Sequence, residues 1–261
     1  MSSTLELAKK LGVVRVRKLD GSSSSNNGGD KKQSLKYLLV IDFESTCWAE
    51  KNNSPSPEII EFPVVLLCLT TGKTVAEFRN YCMPLEQPKL SPFCTELTGI
   101  TQSMVDQGVP LATCLVLFKQ WVESICKEFR IVVNGENVGK LEGELNQATC
   151  CTWSDWDLSF CLENECKRKQ IRKPTFLNSW IDIRAVYRSF YNRRPQGLNG
   201  ALRELGLSFQ GREHSGIEDA RYDTEKTMKR TVSSFFLQKH SCVNLEDGGG
   251  WLSVRSNWLY K

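Results

Sequence analysis

A chain of 261 residues is long enough to bury one full core, and its 40% hydrophobic and 25% charged residues are ordinary globular composition. No apolar run reaches the length of a bilayer span and the first residues lack a signal-type apolar core, which argues against a membrane protein and for an intracellular one in cytoplasm or nucleus. The net charge of +4 permits a polyanionic partner without requiring one.

In chain order, residues 1–35 combine a short basic segment, Lys9 to Lys18, with a Gly/Ser/Asn tract from Gly21 to Gly29. Such a tract cannot bury enough apolar area to offset its ordering entropy, so this tail is expected to be disordered. The folded domain is expected over 36–238. It opens with an apolar strand at 37–43, followed by a polar, proline-containing loop through Pro57. Two more strands, at 64–69 and 74–83, are joined by the turn Thr70-Thr71-Gly72-Lys73, which suggests an antiparallel meander. Helical patterns follow at 91–97, stopped by Gly99, and at 111–129, where Leu115, Phe118, Val122 and Ile125 share one face. After a polar stretch at 134–147 come a strand at 148–152, a helix at 156–169 and a late strand at 175–183. Helices are expected at 185–191, 198–205 and 217–236, and the tail 239–261 has no periodicity. Strands first and then alternating helices and strands give an α/β fold: a mixed five-stranded sheet, antiparallel meander plus parallel strands, flanked by helices.

The eleven cysteines are odd in number, scattered mostly through apolar stretches and without a Cys-x-x-Cys pairing. They read as reduced interior thiols rather than zinc ligands. The chemistry points elsewhere. Asp42-Phe43-Glu44 places two carboxylates on one face at the end of the apolar run Tyr37 to Ile41. Like charges that close are stable at a buried strand end only when a cation bridges them, and hard oxygen ligands favour magnesium or manganese.

A cation site needs further carboxylates at helix starts beside strand ends. Asp157, leading into Leu158, Phe160, Cys161 and Leu162, is preferred over Asp155 because a packed helix supports it rigidly. His214, one of only two histidines, lies in a Gly/Ser loop five positions before Asp219. A loop imidazole titrating near neutrality is suited to general-base work, although His214 taken alone reads as a surface residue. Asp182 reads as a capping or hydrogen-bonding group. The basic run Lys167-Arg168-Lys169, with Arg172 and Lys173, is either a phosphate-binding patch or a solvated helix end.

These motifs taken together resemble a known family. Asp42-Phe43-Glu44-Ser45-Thr46-Cys47, Glu61-Phe62-Pro63, Leu97-Thr98-Gly99-Ile100-Thr101, Trp156-Asp157-Leu158 and His214 followed by Asp219 are similar, in order and spacing, to the DEDDh 3′-to-5′ exonucleases of the Eri subfamily. The resemblance covers about residues 36–224. It implies an RNase H-like fold, with Asp42, Glu44, Asp157 and Asp219 holding two magnesium ions, manganese as a substitute, and His214 as general base. It also implies that Glu44, Ser45 and His214 contact the terminal nucleotide and that Leu97, Thr98 and Ile100 wall its base and sugar. The substrate would be single-stranded RNA or a 3′ overhang, with DNA left open, and the product a nucleoside 5′-monophosphate released by a monomeric enzyme. The other reading is a non-catalytic nucleic-acid or partner-binding module on the same fold.

Overall fold

The computed structural model describes residues 35–50 and 54–204, which form one mixed sheet with helices packed on both faces. Its central strand is β1 (Leu35–Ile41), apolar on both sides as a strand covered by helices must be. Tyr37, Leu39 and Ile41 face one core, while Leu38 and Val40 face the other. On one edge β1 pairs antiparallel with β3 (Ile59–Cys68), which pairs antiparallel with β4 (Lys73–Tyr81); this is the expected meander. On its other edge β1 pairs parallel with β6 (Asn146–Thr152).

The far edge of β6 is shared. Its first half pairs with β5 (Ile131–Val133) and its second half with β7 (Trp180–Asp182), both parallel. All five anticipated strands are therefore in the sheet, and two short segments join them. One is β5; the other is β2 (Glu44–Ser45), which sits on the same edge of β3 as β1 does.

Helix α1 (Pro92–Thr98) is capped by Ser91, whose Oγ accepts from Cys94 N at 2.9 Å, and closed by Gly99 at φ 70°, a left-handed position that glycine takes without strain. After the short α2 (Gln102–Asp106) comes α3 (Leu111–Phe129), whose buried face includes Leu115, Phe118, Val122 and Ile125, the four residues spaced for it in the sequence. They pack on the Tyr37 side of the sheet, with Phe118 touching Phe62, Phe78 and Phe176.

The helix expected at 156–169 is present in two parts: a π-helical stretch, Trp156–Leu162, and α4 (Glu163–Arg168). The strand expected at 175–183 is shorter. Thr175–Asn178 forms a 3-10 turn, and the chain extends only at β7, because Phe176 and Leu177 turn into the core beside α3 rather than alternating across a sheet. Asp182 then caps α5 (Ile183–Tyr191), its Oδ1 accepting from Ala185 N at 2.8 Å, as the capping reading anticipated. Helices α5 and α6 (Gly197–Glu204) cover the second face through Ile183, Tyr187 and Ala201.

Nine of the ten described cysteines are buried, and none of the ten is in a disulfide. No helix among the described residues is long and apolar enough to cross a membrane.

Candidate active site

The site begins where β1 breaks. Ile41 pairs with Val64 and Glu44 with Glu61 in one continuous register, so Pro63 falls opposite Asp42 and Phe62 opposite Phe43. Proline has no N–H to contribute to a ladder, which releases β1 from β3 at this point. The Phe43 ring remains on the core side, 4.5 Å from Phe62. Its backbone N–H turns away from the sheet and donates to Asp157 Oδ1 at 3.0 Å.

That hydrogen bond joins two candidate motifs 114 positions apart. The π-helical turn starting at Trp156 buries Asp157 (5% exposed) together with Leu158, Cys161 and Leu162. Asp155, the competing carboxylate, instead accepts from Trp180 Nε1 at 3.0 Å. The wide turn therefore separates the two acids, one toward β1 and one toward β7. Such π-helical turns are rare and are frequently found at functional sites.

Electrostatic repulsion couples the set. Burial and the neighbouring Glu61 push the Asp42 carboxyl up to about 6. Glu44 is pushed well above the usual carboxylate range by burial and then by Asp42, Glu61 and Asp157. Asp157 is pushed up by burial and by Asp42, against the opposing pull of the Phe43 hydrogen bond. Each acid destabilises the ionised form of another, as expected of converging carboxylates without a counter-charge. Among the described residues no lysine or arginine forms a salt bridge with Asp42, Glu44 or Asp157. Nor, among these residues, do three His, Cys, Asp or Glu side chains already stand in metal-binding geometry. His214 and Asp219, the other two members of the expected set, lie outside the described residues.

Glu61 is the carboxylate that the residue-by-residue reading left without a role. It is buried opposite Glu44, and Arg79 on β4 pairs with it, partly offsetting the burial that raises its carboxyl. The signal was present: an acid inside the apolar run Ile59 to Cys68. Only the register shows that it faces Glu44.

The remaining expected contacts lie on one side. Ser45 follows Glu44 in β2, and α1 docks against this segment through Cys94 Sγ to Ser45 O at 3.6 Å and Ser91 Oγ to Cys47 O at 2.6 Å. Leu97 is half-buried. Thr98 and Ile100 are buried: Thr98 Oγ1 donates to Cys94 O at 2.8 Å and accepts from Ile100 N at 3.1 Å, while Ile100 packs with Ile60, Cys94 and Val105. Thr98 and Ile100 thus shape the turn after α1, and of the three Leu97 is the one with an exposed edge.

Behind the acids a buried ion cluster holds the segments in place. Lys169 Nζ reaches Glu58 Oε1 at 2.5 Å and Glu165 Oε1 at 2.6 Å. Glu165 Oε2 accepts from Ile59 N at 2.7 Å, and Glu58 accepts from the backbone of Leu85, Glu86 and Gln87. Glu58 also exchanges two bonds with Thr46: Thr46 N donates to Glu58 O, and Glu58 N donates to Thr46 Oγ1. The chain that carries Glu44 is thereby tied to the helix that carries Asp157. Lys169 is thus not part of a free basic patch. Arg168 pairs with Glu86, and Lys167 and Lys173 both pair with Glu163.

Comparison with known proteins agrees with this geometry. Residues 39–226 match the family model described as Exonuclease (RNase_T). The chain is 50% identical over 219 residues to "ERI1 exoribonuclease 2" of Mus musculus, covering 84% of this chain and 32% of that protein, so it spans about a third of that relative's length. It is 47% identical over 192 residues to "3'-5' exonuclease Snipper" of Drosophila melanogaster, covering 72% of this chain and 67% of that protein. Among solved structures, the nuclease domain of 3'hExo, a DEDDh family member bound to rAMP, superposes with a TM-score of 0.62 at 29% identity, covering 85% of this chain and 97% of that one. A break in β1 that presents two acids to a third on a π-helical turn, within a sheet of this order, is thus met in a chain that belongs to the exonuclease (RNase_T) family and, within it, to the DEDDh Eri subfamily.

Proposed function

We propose that the chain is a metal-dependent 3′-to-5′ exonuclease that releases nucleoside 5′-monophosphates from single-stranded RNA or from a 3′ overhang. One observation carries this reading: Asp42, Glu44 and Asp157 converge at the β1 break, where burial raises all three carboxyls and Asp42 further raises those of Glu44 and Asp157, with no salt bridge from a described residue to neutralise them. Their donor chemistry fits divalent metal. All are hard carboxylate oxygens, and burial makes a cation their most effective partner. Asp42, Glu44 and Asp157, with Asp219, would hold two magnesium ions, and manganese would substitute.

When bound, such ions polarise the phosphoryl oxygens and lower the pKa of the attacking water. The side chains supply the rest. Phe43 N–H orients Asp157, and the Thr46–Glu58 bonds fix the strand end from which Glu44 projects. His214 acts as general base and takes the proton of the attacking water. Glu44 and Ser45 contact the terminal nucleotide, and the turn from Leu97 to Ile100 lies beside them through the Cys94–Ser45 contact. The free thiols of the described residues support an intracellular setting, in cytoplasm or nucleus, and the enzyme acts as a monomer.

The test uses 5′-labelled single-stranded RNA and DNA, with magnesium and then with chelator. Stepwise shortening from the 3′ end is expected with magnesium alone, faster on RNA, and Asp42→Ala is expected to lower the rate roughly 10^3-fold. His214→Ala should lose rate while keeping its manganese affinity. If neither polymer shortens, or Asp42→Ala is as active as the parent, the enzyme reading fails and the binding-module reading takes its place.

A further inference from the structure

Trp156 and Phe160 are each 40% exposed, although most large apolar side chains of the described residues are buried. They are neighbours, with ring centroids 6.2 Å apart and planes inclined by 32°. Trp156 immediately precedes Asp157, and the same helix face continues through Asn164 to Lys167. Between this face and the Ser56-Pro57 segment runs a groove of about 520 Å³, lined by Ser56, Pro57, Phe160, Asn164, Lys167 and Arg168. At its far end the Lys167 side chain is 71% exposed and makes one contact with Glu163, at 3.1 Å. An exposed i,i+4 pair of this kind is worth little, so a phosphate can displace the carboxylate. Arg168 is engaged by Glu86 and by Pro57 O, where it fixes the groove wall.

Resting on the exonuclease reading, we propose that this face is the binding track for the single-stranded segment on the 5′ side of the reacting end. Bases stack on Trp156 and Phe160, and a backbone phosphate meets Lys167. Lys167 lies ten residues beyond Asp157 along a helix that is π-helical as far as Leu162, a span on the order of 10–15 Å and so the reach of a few nucleotides. The order of groups along the face is that of a single-strand site: aromatic platforms, then a cation for the backbone. The face starts at Trp156, the chain neighbour of Asp157, and ends at a cation, and this adjacency and charge favour a polynucleotide over an apolar partner. Stacking of this kind selects single strands, since paired bases do not offer their faces to a side chain.

The experiment measures affinity with the full chain and calcium in place of magnesium, so that binding is read without turnover. The probes are a labelled single-stranded RNA 12-mer and a nucleoside 5′-monophosphate. Phe160→Ala should weaken the 12-mer roughly 10-fold and leave the monophosphate unchanged. Lys167→Ala should lower the slope of log affinity against log salt by about 0.7. Both positions are exposed, and unchanged thermal melts verify the fold. Unchanged 12-mer affinity in Phe160→Ala overturns the track, as does equal weakening of both probes. Because no cleavage is needed, a chain that binds by this pattern yet never shortens RNA refutes the enzyme reading and leaves the track standing.

Discussion

Asp42 illustrates how a single residue carries the chemistry. Its carboxyl is held up to about 6 by burial and by Glu61, whereas an unfolded aspartate titrates near 4. The folded chain therefore binds this proton more readily than the unfolded chain between those values. The sign follows: protonation favours the fold, so Asp42 costs stability above pH 6 and the cost disappears as pH falls toward 4. In chelator, Asp42→Asn is expected to raise the urea midpoint at pH 7.5 and to raise it only about a third as much at pH 4.5. Saturating magnesium should abolish the gain, because the ionised carboxylate then has its counter-charge. An equal shift at both pH values contradicts this electrostatic account. Asp157 shows what the sequence could and could not disclose at this scale. Its place before a packed apolar run distinguished it from Asp155, but the reason they diverge, a π-helical turn with Phe43 N on one side and Trp180 on the other, depends on contacts far apart in the chain.

At the scale of elements, the strands with strong local patterns were legible and those defined by partners were not. β1, β4 and α3 carry apolar runs or a clear helical face, and each lies within two residues of where its pattern indicated, whereas β3, expected at 64–69, begins five residues earlier at Ile59 because Glu61 and Pro63 interrupt its apolar pattern. β5 was hidden because Ile131-Val132-Val133 follows α3 after one left-handed residue, Arg130, and its apolar character merges with the helix. β2 has only two residues and is a strand solely because β3 continues beneath it. The charged network around Lys169 was equally invisible: Glu58 is 111 positions away, and Lys167-Arg168-Lys169 looks like a surface run until burial separates its members. Removing Lys169 leaves Glu58 and Glu165 buried and uncompensated. Lys169→Met is accordingly predicted to cost about 3–5 kcal/mol in urea unfolding. Lys167→Met, on the exposed side of the same helix, should cost no more than about 1 kcal/mol. Similar losses in both variants would show that the ion cluster does not tie β3 to α4.

Across the whole molecule, two cores enclose the sheet, and the acids emerge at the end of its central strand, where β1 lets go of β3 opposite Pro63. The rigid parts are thus behind the site, and the exposed aromatic face lies to one side of it. This arrangement predicts the metal requirement of the reaction, and the proposed exonuclease function adds its 3′-to-5′ polarity. The most direct measurement follows 5′-labelled single-stranded RNA, with a free or a blocked 3′ hydroxyl, in magnesium, and identifies the released product. The account predicts a ladder shortening one nucleotide at a time from the free 3′ end, release of nucleoside 5′-monophosphates, and arrest by chelator or by Asp157→Asn. Internal cuts, degradation from the 5′ end, or full activity in chelator would contradict it.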